Sequence, residues 1–296
     1  MGRVAGAVVF SALLASLTVA RAQDSGRGPL VLPPIDVAST RMGGTIVGAS
    51  TSVITAEDIA HSPAQTLPDI LAQQTGIQVQ HLFSGTNGSF DMVDLRGFGA
   101  FAASNTLILI NGRRYQDFDL QGFDFSAIPL NSIERIEITR GNSGAVLWGD
   151  GAVGGVINIV TKTKAPQGTS GRVEVLGGSF NYGEARASAQ TAAGPWSISL
   201  FGNAIGSDGY RVNSALRQDN VNANINYRGD GWGSYLTIAA DKQHQGLAGG
   251  LNNLPGNYPF TLDMPQQSIT PLDWGAKQDV NLAAGVTATL APGALA

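Results

Sequence analysis

The chain has 296 residues, 18 basic and 22 acidic, with 14% charged residues, 39 glycines and no cysteine. A net charge of -4 gives no electrostatic footprint for nucleic acid, so no nucleic-acid partner is expected. The missing cysteine removes disulfide scaffolds, thiolate metal sites and cysteine nucleophiles. Charge well under the soluble average of about 25%, with 43% hydrophobic residues, points to many short strands and turns.

Residues 1–22 read as a signal peptide. Arg3 precedes an uncharged apolar run over 4–20, and Ala20-Arg21-Ala22 has the form of a cleavage site. The competing reading, a transmembrane anchor, meets a run that is short for a span. No later stretch approaches ~18 consecutive apolar residues, so any membrane crossing is expected through strands.

Residues 23–50 read as a flexible arm rich in Gly, Pro, Ser and Thr. Within it Pro33 and Pro34 forbid helix and extend Ile35, Asp36, Val37 and Ala38. Such a segment can add to another protein's sheet edge, or it can be an apolar piece of linker.

Residues 51–165 read as a compact α/β unit. A strand at 52–55 leads into a capping box, Thr55 with Asp58. A helix over 66–74 is closed by Gly76. Strands are predicted at 77–80, 92–96, 106–110, 133–139 and 155–162, with loops at 81–89 and 97–104. Asn111-Gly112 marks a tight hairpin.

From residue 168 the pattern becomes alternation in steps of two. Asn220, Asn222, Asn224 and Asn226 share one face, with Val221, Ala223, Ile225 and Tyr227 on the other. Val280, Leu282, Ala284, Val286, Ala288 and Leu290 form an apolar row. About ten residues per strand, alternation and aromatics near strand ends fit a transmembrane β-barrel, with a soluble β-sandwich as the alternative.

Residues 149–154 match G-x-G-x-x-G, but a β-branched strand follows where a dinucleotide site needs a helix. The Ser143 region lacks nucleophile-elbow spacing. His61, His81 and His244 show no ligand spacing. No catalytic residue, metal site or cofactor is nominated, and the chain is not expected to be an enzyme.

The stretch 128–162 resembles the closing segment of the plug domain of TonB-dependent outer-membrane receptors. The matching residues are Ile133-Glu134-Arg135, Arg140-Gly141, Trp148-Gly149 and Gly151-Ala152-Val153-Gly154-Gly155-Val156-Ile157-Asn158-Ile159. Upstream, residues 67–80 are similar to its L-x-x-x-L-x-x-x-x-G-I-x-V element. Leu95-Arg96-Gly97-Phe98 matches R-G-F, and Leu109-Ile110-Asn111-Gly112 matches the hydrophobic-D-G turn with Asn for Asp. Asn142 departs from the usual Pro. The resemblance implies an α/β plug domain, a small mixed sheet with short helices at 51–165. It also implies antiparallel transmembrane β-barrel strands over 168–296. About six strands are countable, against about 22 in the family's barrels.

The same resemblance implies a ligand-gated transporter of the cell outer membrane, embedded in its lipid. Ile35, Asp36, Val37 and Ala38 would be the TonB box, the partner of the TonB energising complex. The ligand would be a small-molecule metal chelate, a ferric siderophore first and haem or cobalamin next. Phe83, Asn87, Phe101 and Phe123, on apical loops, would touch it. Arg96 and Arg140 would pair with barrel glutamates. Gly97, Gly112, Glu134, Gly141, Gly149, Gly151, Gly154, Gly155 and Asn158 make up the plug signature. An autonomous periplasmic binding module is the rival reading.

Overall fold

The computed structural model describes residues 50–81, 87–89, 91–115, 122–250 and 266–288. The expected signal peptide, the arm with its extended segment at residues 35–38, and Phe83 lie outside them.

Strand β1 (Ser50–Thr55) runs directly into helix α1 (Ala56–His61). The Thr55 hydroxyl accepts from the Asp58 amide while the Asp58 carboxylate accepts from Thr55 N at 2.8 Å, closing the capping box. Helix α2 (Leu67–Ala72) starts on Thr66, whose hydroxyl accepts from the Asp69 amide, with Pro68 in the first turn, and it buries Leu67, Ile70 and Leu71. Strands β2 (Ile77–His81) and β3 (Asp91–Leu95) form a separate hairpin. The expected loop after β3 instead holds a 3-10 turn (Gly99–Phe101) and helix α3 (Ala102–Asn105). Alanine and serine there carry no hydrophobic period from which a helix could be read.

Strand β4 (Thr106–Ile110) turns through Asn111 (φ 51°) and Gly112 (φ 75°) into β5 (Arg113–Arg114). Two left-handed residues in succession are the hairpin turn that Asn-Gly favours. Strand β6 (Ile133–Arg140), helix α4 (Ser143–Trp148) and strand β7 (Gly155–Thr161) complete the unit. The five strands lie in the order β1-β6-β7-β4-β5, with β4 and β7 parallel. One face packs Ile108, Ile136, Ile138, Ile157 and Ile159 against Leu71, Ile77, Leu95 and Phe125. The opposite face packs Leu107, Leu109 and Val156 on Ala152. Burial of both faces explains why β4 is an unbroken apolar run rather than an alternating one.

A second sheet is an antiparallel meander of β8 (Gly168–Gly178), β9 (Tyr182–Ala193), β10 (Trp196–Ser207), β11 (Leu216–Arg228), β12 (Trp232–Gly246) and β13 (Trp274–Ala288). Among the described residues it is open: β8 and β13 each have one strand neighbour. The connections at one end are short, residues 194–195 and 229–231, and at the other end include 208–215 and 247–273.

Candidate plug and strand-wall interface

The six-stranded sheet has two chemically distinct faces. Along β11 Gln218, Asn220, Asn222 and Asn224 are buried while Arg217, Asp219 and Val221 are exposed. On β12 Asp241, Gln243 and Gln245 continue the buried polar face. The outer face carries Val173, Val175, Ile198, Leu200, Val221, Val280, Leu282 and Val286, all exposed. A monomeric soluble protein does not usually leave so large an apolar surface open. Exposed aromatics mark both ends. At the short-turn end the exposed Trp196 and Trp232 flank the half-buried Tyr227, Trp196 edge-on at 5.0 Å and Trp232 tilted at 4.5 Å between centroids. Phe180 meets Tyr210 edge-on at 5.5 Å, and Trp274 stacks on His244, at the other end. Apolar outside, polar inside and aromatic at both rims is the pattern of a lipid-facing barrel wall.

The plug docks on the polar face through hydrogen bonds. Asn87, expected to touch ligand, is buried and donates to Gln218 Oε1 at 3.0 Å and Gln243 Oε1 at 2.8 Å. The Ser126 carbonyl accepts from Gln218 Nε2 at 3.1 Å and from Asn220 Nδ2 at 2.5 Å. The Asp124 carboxylate caps the Ser126 amide and hydroxyl and takes an ion pair from Lys277 at 2.6 Å. Asn281 donates to the Tyr115 hydroxyl at 2.6 Å, and the Arg113 guanidinium lies 4.5 Å from the Tyr235 ring centroid. A cavity of about 210 Å³ lies between these elements, lined by Tyr115, Phe123, Asn222 and Asn281 among others.

The other expected site residues fall as follows. Phe123 makes edge contacts with Tyr115 and Phe125 and packs on the core. Phe101 is 72% exposed. Arg140 donates to the Thr75 carbonyl at 3.1 Å and to Ser52 Oγ at 3.0 Å, so it is held within the plug. The Arg96 guanidinium lies against Gly141. Arg96 also holds a left-handed φ of 91°, beside Gly97 at 77°. That turn is fixed by Asp94, a buried residue the sequence did not single out, whose carboxylate accepts from Phe98 N at 3.0 Å and Gly99 N at 2.7 Å.

The glycine signature is structural. Gly149 and Gly151 lie in the turn that follows α4, and strand β7, not a helix, begins at Gly155. A Cβ on Gly154 would stand 2.8 Å from the Leu95 carbonyl, and one on Gly155 would collide with the Thr139 carbonyl. Asn158 accepts from Gly112 N at 2.9 Å and donates to Glu137 at 2.8 Å, fastening the Asn111-Gly112 turn to two strands. Glu134 pairs with Arg135 at 2.8 Å.

His81 Nδ1 lies 2.8 Å from Asp91 Oδ2 and His81 Nε2 lies 3.7 Å from Asp69 Oδ1, across the closing pair of the β2–β3 hairpin. Burial raises the Asp91 carboxyl above its ordinary range, partly offset by the hydrogen bond from His81. Among the described residues no group of three or more His, Cys, Asp or Glu is placed to hold a metal, and no helix is long and apolar enough to cross a membrane.

Residues 46–156 match the TonB-dependent receptor plug domain family. The chain is 31% identical over 195 residues to the vitamin B12 transporter BtuB of Vibrio cholerae, covering 66% of this chain and 30% of that protein. It is 34% identical over 181 residues to the ferric enterobactin receptor of Pseudomonas aeruginosa, covering 57% and 23%. A variant of the P. aeruginosa ferric enterobactin receptor PfeA, solved with enterobactin, superposes with a TM-score of 0.51 at 25% identity, covering 66% of this chain and 33% of that one. The unliganded ferric citrate transporter FecA shares the fold, with a TM-score of 0.62 at 22% identity over 79% of this chain and 37% of that one. The chain therefore spans between 23% and 37% of these relatives' length, and they are transporters and receptors rather than enzymes. With its plug signature folded as a mixed sheet against an open antiparallel wall, the chain carries at residues 46–156 a TonB-dependent receptor plug domain, followed by six antiparallel strands.

Proposed function

We propose that the chain is part of an active-transport receptor of the outer membrane that takes up a ferric siderophore or a similar scarce metal chelate. The observation that carries this reading is the plug docked on the polar face of a sheet whose opposite face is apolar and aromatic-rimmed. Such a wall suits a bilayer, and a plug held to it by hydrogen bonds rather than an apolar core can shift without exposing a hydrophobic interface. In this reading Ile35, Asp36, Val37 and Ala38 pair by strand addition with the energising protein in the periplasm. Ligand binds the apices bearing Phe83, Asn87, Phe101 and Phe123. Asn87 serves ligand indirectly, by holding its loop to Gln218 and Gln243, while the exposed Phe101 ring is free to meet ligand. Arg96 faces glutamates on further barrel strands, and Arg140 meets them only if it gives up its bonds to Thr75 and Ser52 within the plug. The relatives' names divide between vitamin B12 and ferric enterobactin, so cobalamin is the second ligand class.

The test is uptake of labelled ferric chelates and labelled cobalamin by cells whose only receptor comes from the gene encoding this chain. Uptake of a ferric chelate that needs residues 35–38, with binding kept when they are deleted, is the expected result. Uptake of cobalamin alone would reverse the ligand order, and binding without any energised uptake would sink the transport reading.

A further inference from the structure

Four inward-facing residues stand side by side across four strands of the wall. Asn203 on β10 is opposite Asn220 on β11, Asn220 is opposite Asp241 on β12, and Asp241 is opposite Asp279 on β13. Asn220 is 2% and Asp241 4% exposed; Asn203 is half-buried.

Three oxygens in this row have no hydrogen-bond partner: Asn203 Oδ1, Asn220 Oδ1 and Asp241 Oδ2. The other end of each side chain is committed. Asn220 Nδ2 donates to the Ser126 carbonyl, Asn203 Nδ2 donates to Glu184 Oε1 at 3.3 Å, and Asp241 Oδ1 accepts from Gln218 at 2.7 Å. Turning either amide around would bring its oxygen against the Ser126 carbonyl or the Glu184 carboxylate, so the amide assignments are set by their acceptors. Three neighbouring acceptors without a donor break the rule that buried polar atoms are satisfied.

The charges point the same way. Asp124, Asp241 and Asp279 share one ammonium, Lys277, which is taken by Asp124 at 2.6 Å and Asp279 at 2.5 Å. Like charges directly opposite in a sheet destabilise it, as Asp241 and Asp279 are. Two amide carbonyls and a carboxylate offer only hard oxygen, the donor set of calcium rather than of zinc or copper.

We propose that Asn203, Asn220 and Asp241 form a binding site for a hard divalent cation, calcium in size and charge, in the strand wall beside the Ser126 segment of the plug. The ion joins β10, β11 and β12 and completes the shell of Asn220, whose amide holds Ser126. The site thereby couples cation occupancy to plug docking, and it stands whether or not the transport reading holds.

The test uses the whole chain folded in detergent micelles and stripped with a chelator. Calorimetric titration with calcium chloride is expected to give about one ion per chain, with magnesium binding roughly tenfold more weakly, and calcium is expected to raise the melting temperature. Asp241→Asn, which keeps an oxygen for Gln218, is expected to weaken calcium binding about tenfold or more through loss of ligand charge. Asp219→Asn, on the exposed face of the same strand, leaves binding unchanged. If Asp241→Asn does not fold, Asn203→Ala decides by weaker calcium binding. No heat and no melting shift in the wild-type chain would overturn the site. So would calcium binding unchanged in Asp241→Asn or Asn203→Ala, or stabilisation that follows acid rather than calcium, with a protonated Asp241 donating to Asn220.

Discussion

The pairing of His81 with Asp91 shows how one side chain can close a hairpin. The Asp91 side chain is 2% exposed, so its charge depends on the imidazole 2.8 Å away. Burial raises this carboxyl above its unfolded value. A carboxyl shifted in that direction contributes stability that is present in acid and lost as pH rises through the folded value. At neutral pH ionised Asp91 is thus a cost, which His81 offsets, with Asp69 also facing the ring at 3.7 Å. Replacing His81 by Gln is expected to destabilise the hairpin by about 1–3 kcal/mol at pH 7. The loss should shrink as pH falls and Asp91 protonates. Urea unfolding of wild type and variant at pH 7 and pH 4 checks this, and an equal loss at both would show that the ring acts only by packing. The sequence showed His81 at a loop edge but not its partner, because ten residues of hairpin separate them and no local spacing encodes that contact.

Periodicity carried the elements well where a single face or a single turn decides them. The Thr55 capping box, the Asn111-Gly112 hairpin and the Asn row of β11 all follow from local chemistry. Helix α4 and the 3-10 turn before α3 did not show, since Gly, Ala and Ser give no period and tertiary packing decides their state. The glycine run is the clearest case of a motif read correctly by its context. The close approach of β6 to β7 leaves no room at Gly155, whose φ of 149° and contact with the Thr139 carbonyl exclude a side chain. Gly155→Ala is expected to cost on the order of 2–4 kcal/mol through strain and lost pairing, while Gly183→Ala, with open space at its Cβ, costs under ~1 kcal/mol. Thermal unfolding of both variants compares them directly. The face of β11 was legible, but its docking partners Asn87 and Ser126 were not. Alternation says which residues point inward and is silent on what meets them some ninety positions or more away in the chain.

At the scale of the whole molecule, the plug and the wall differ in what they need. The plug has its own apolar core on both faces of a five-stranded sheet. Among the described residues the wall forms no apolar cluster of its own, its buried Phe201 and Leu216 standing outside both clusters. Its inner face bonds to plug and neighbouring side chains, with the Asn203, Asn220 and Asp241 oxygens left over, and its outer face of Val, Ile and Leu is left to another apolar phase. Backbone groups in a bilayer core must also be paired, yet the outer edges of β8 and β13 lack strand neighbours among the described residues. A polypeptide of these 296 residues alone is therefore expected to give a stable plug but no energised uptake. Cells producing only that polypeptide should take up no more labelled chelate than cells without a receptor, and appending barrel strands to the relatives' length should restore uptake. The plug should meanwhile unfold cooperatively as residues 51–165 in isolation. Uptake by the 296-residue polypeptide alone would mean that the edges close on each other or on a second copy, and absence of a cooperative transition in 51–165 would mean that the wall's polar face is part of what folds the plug.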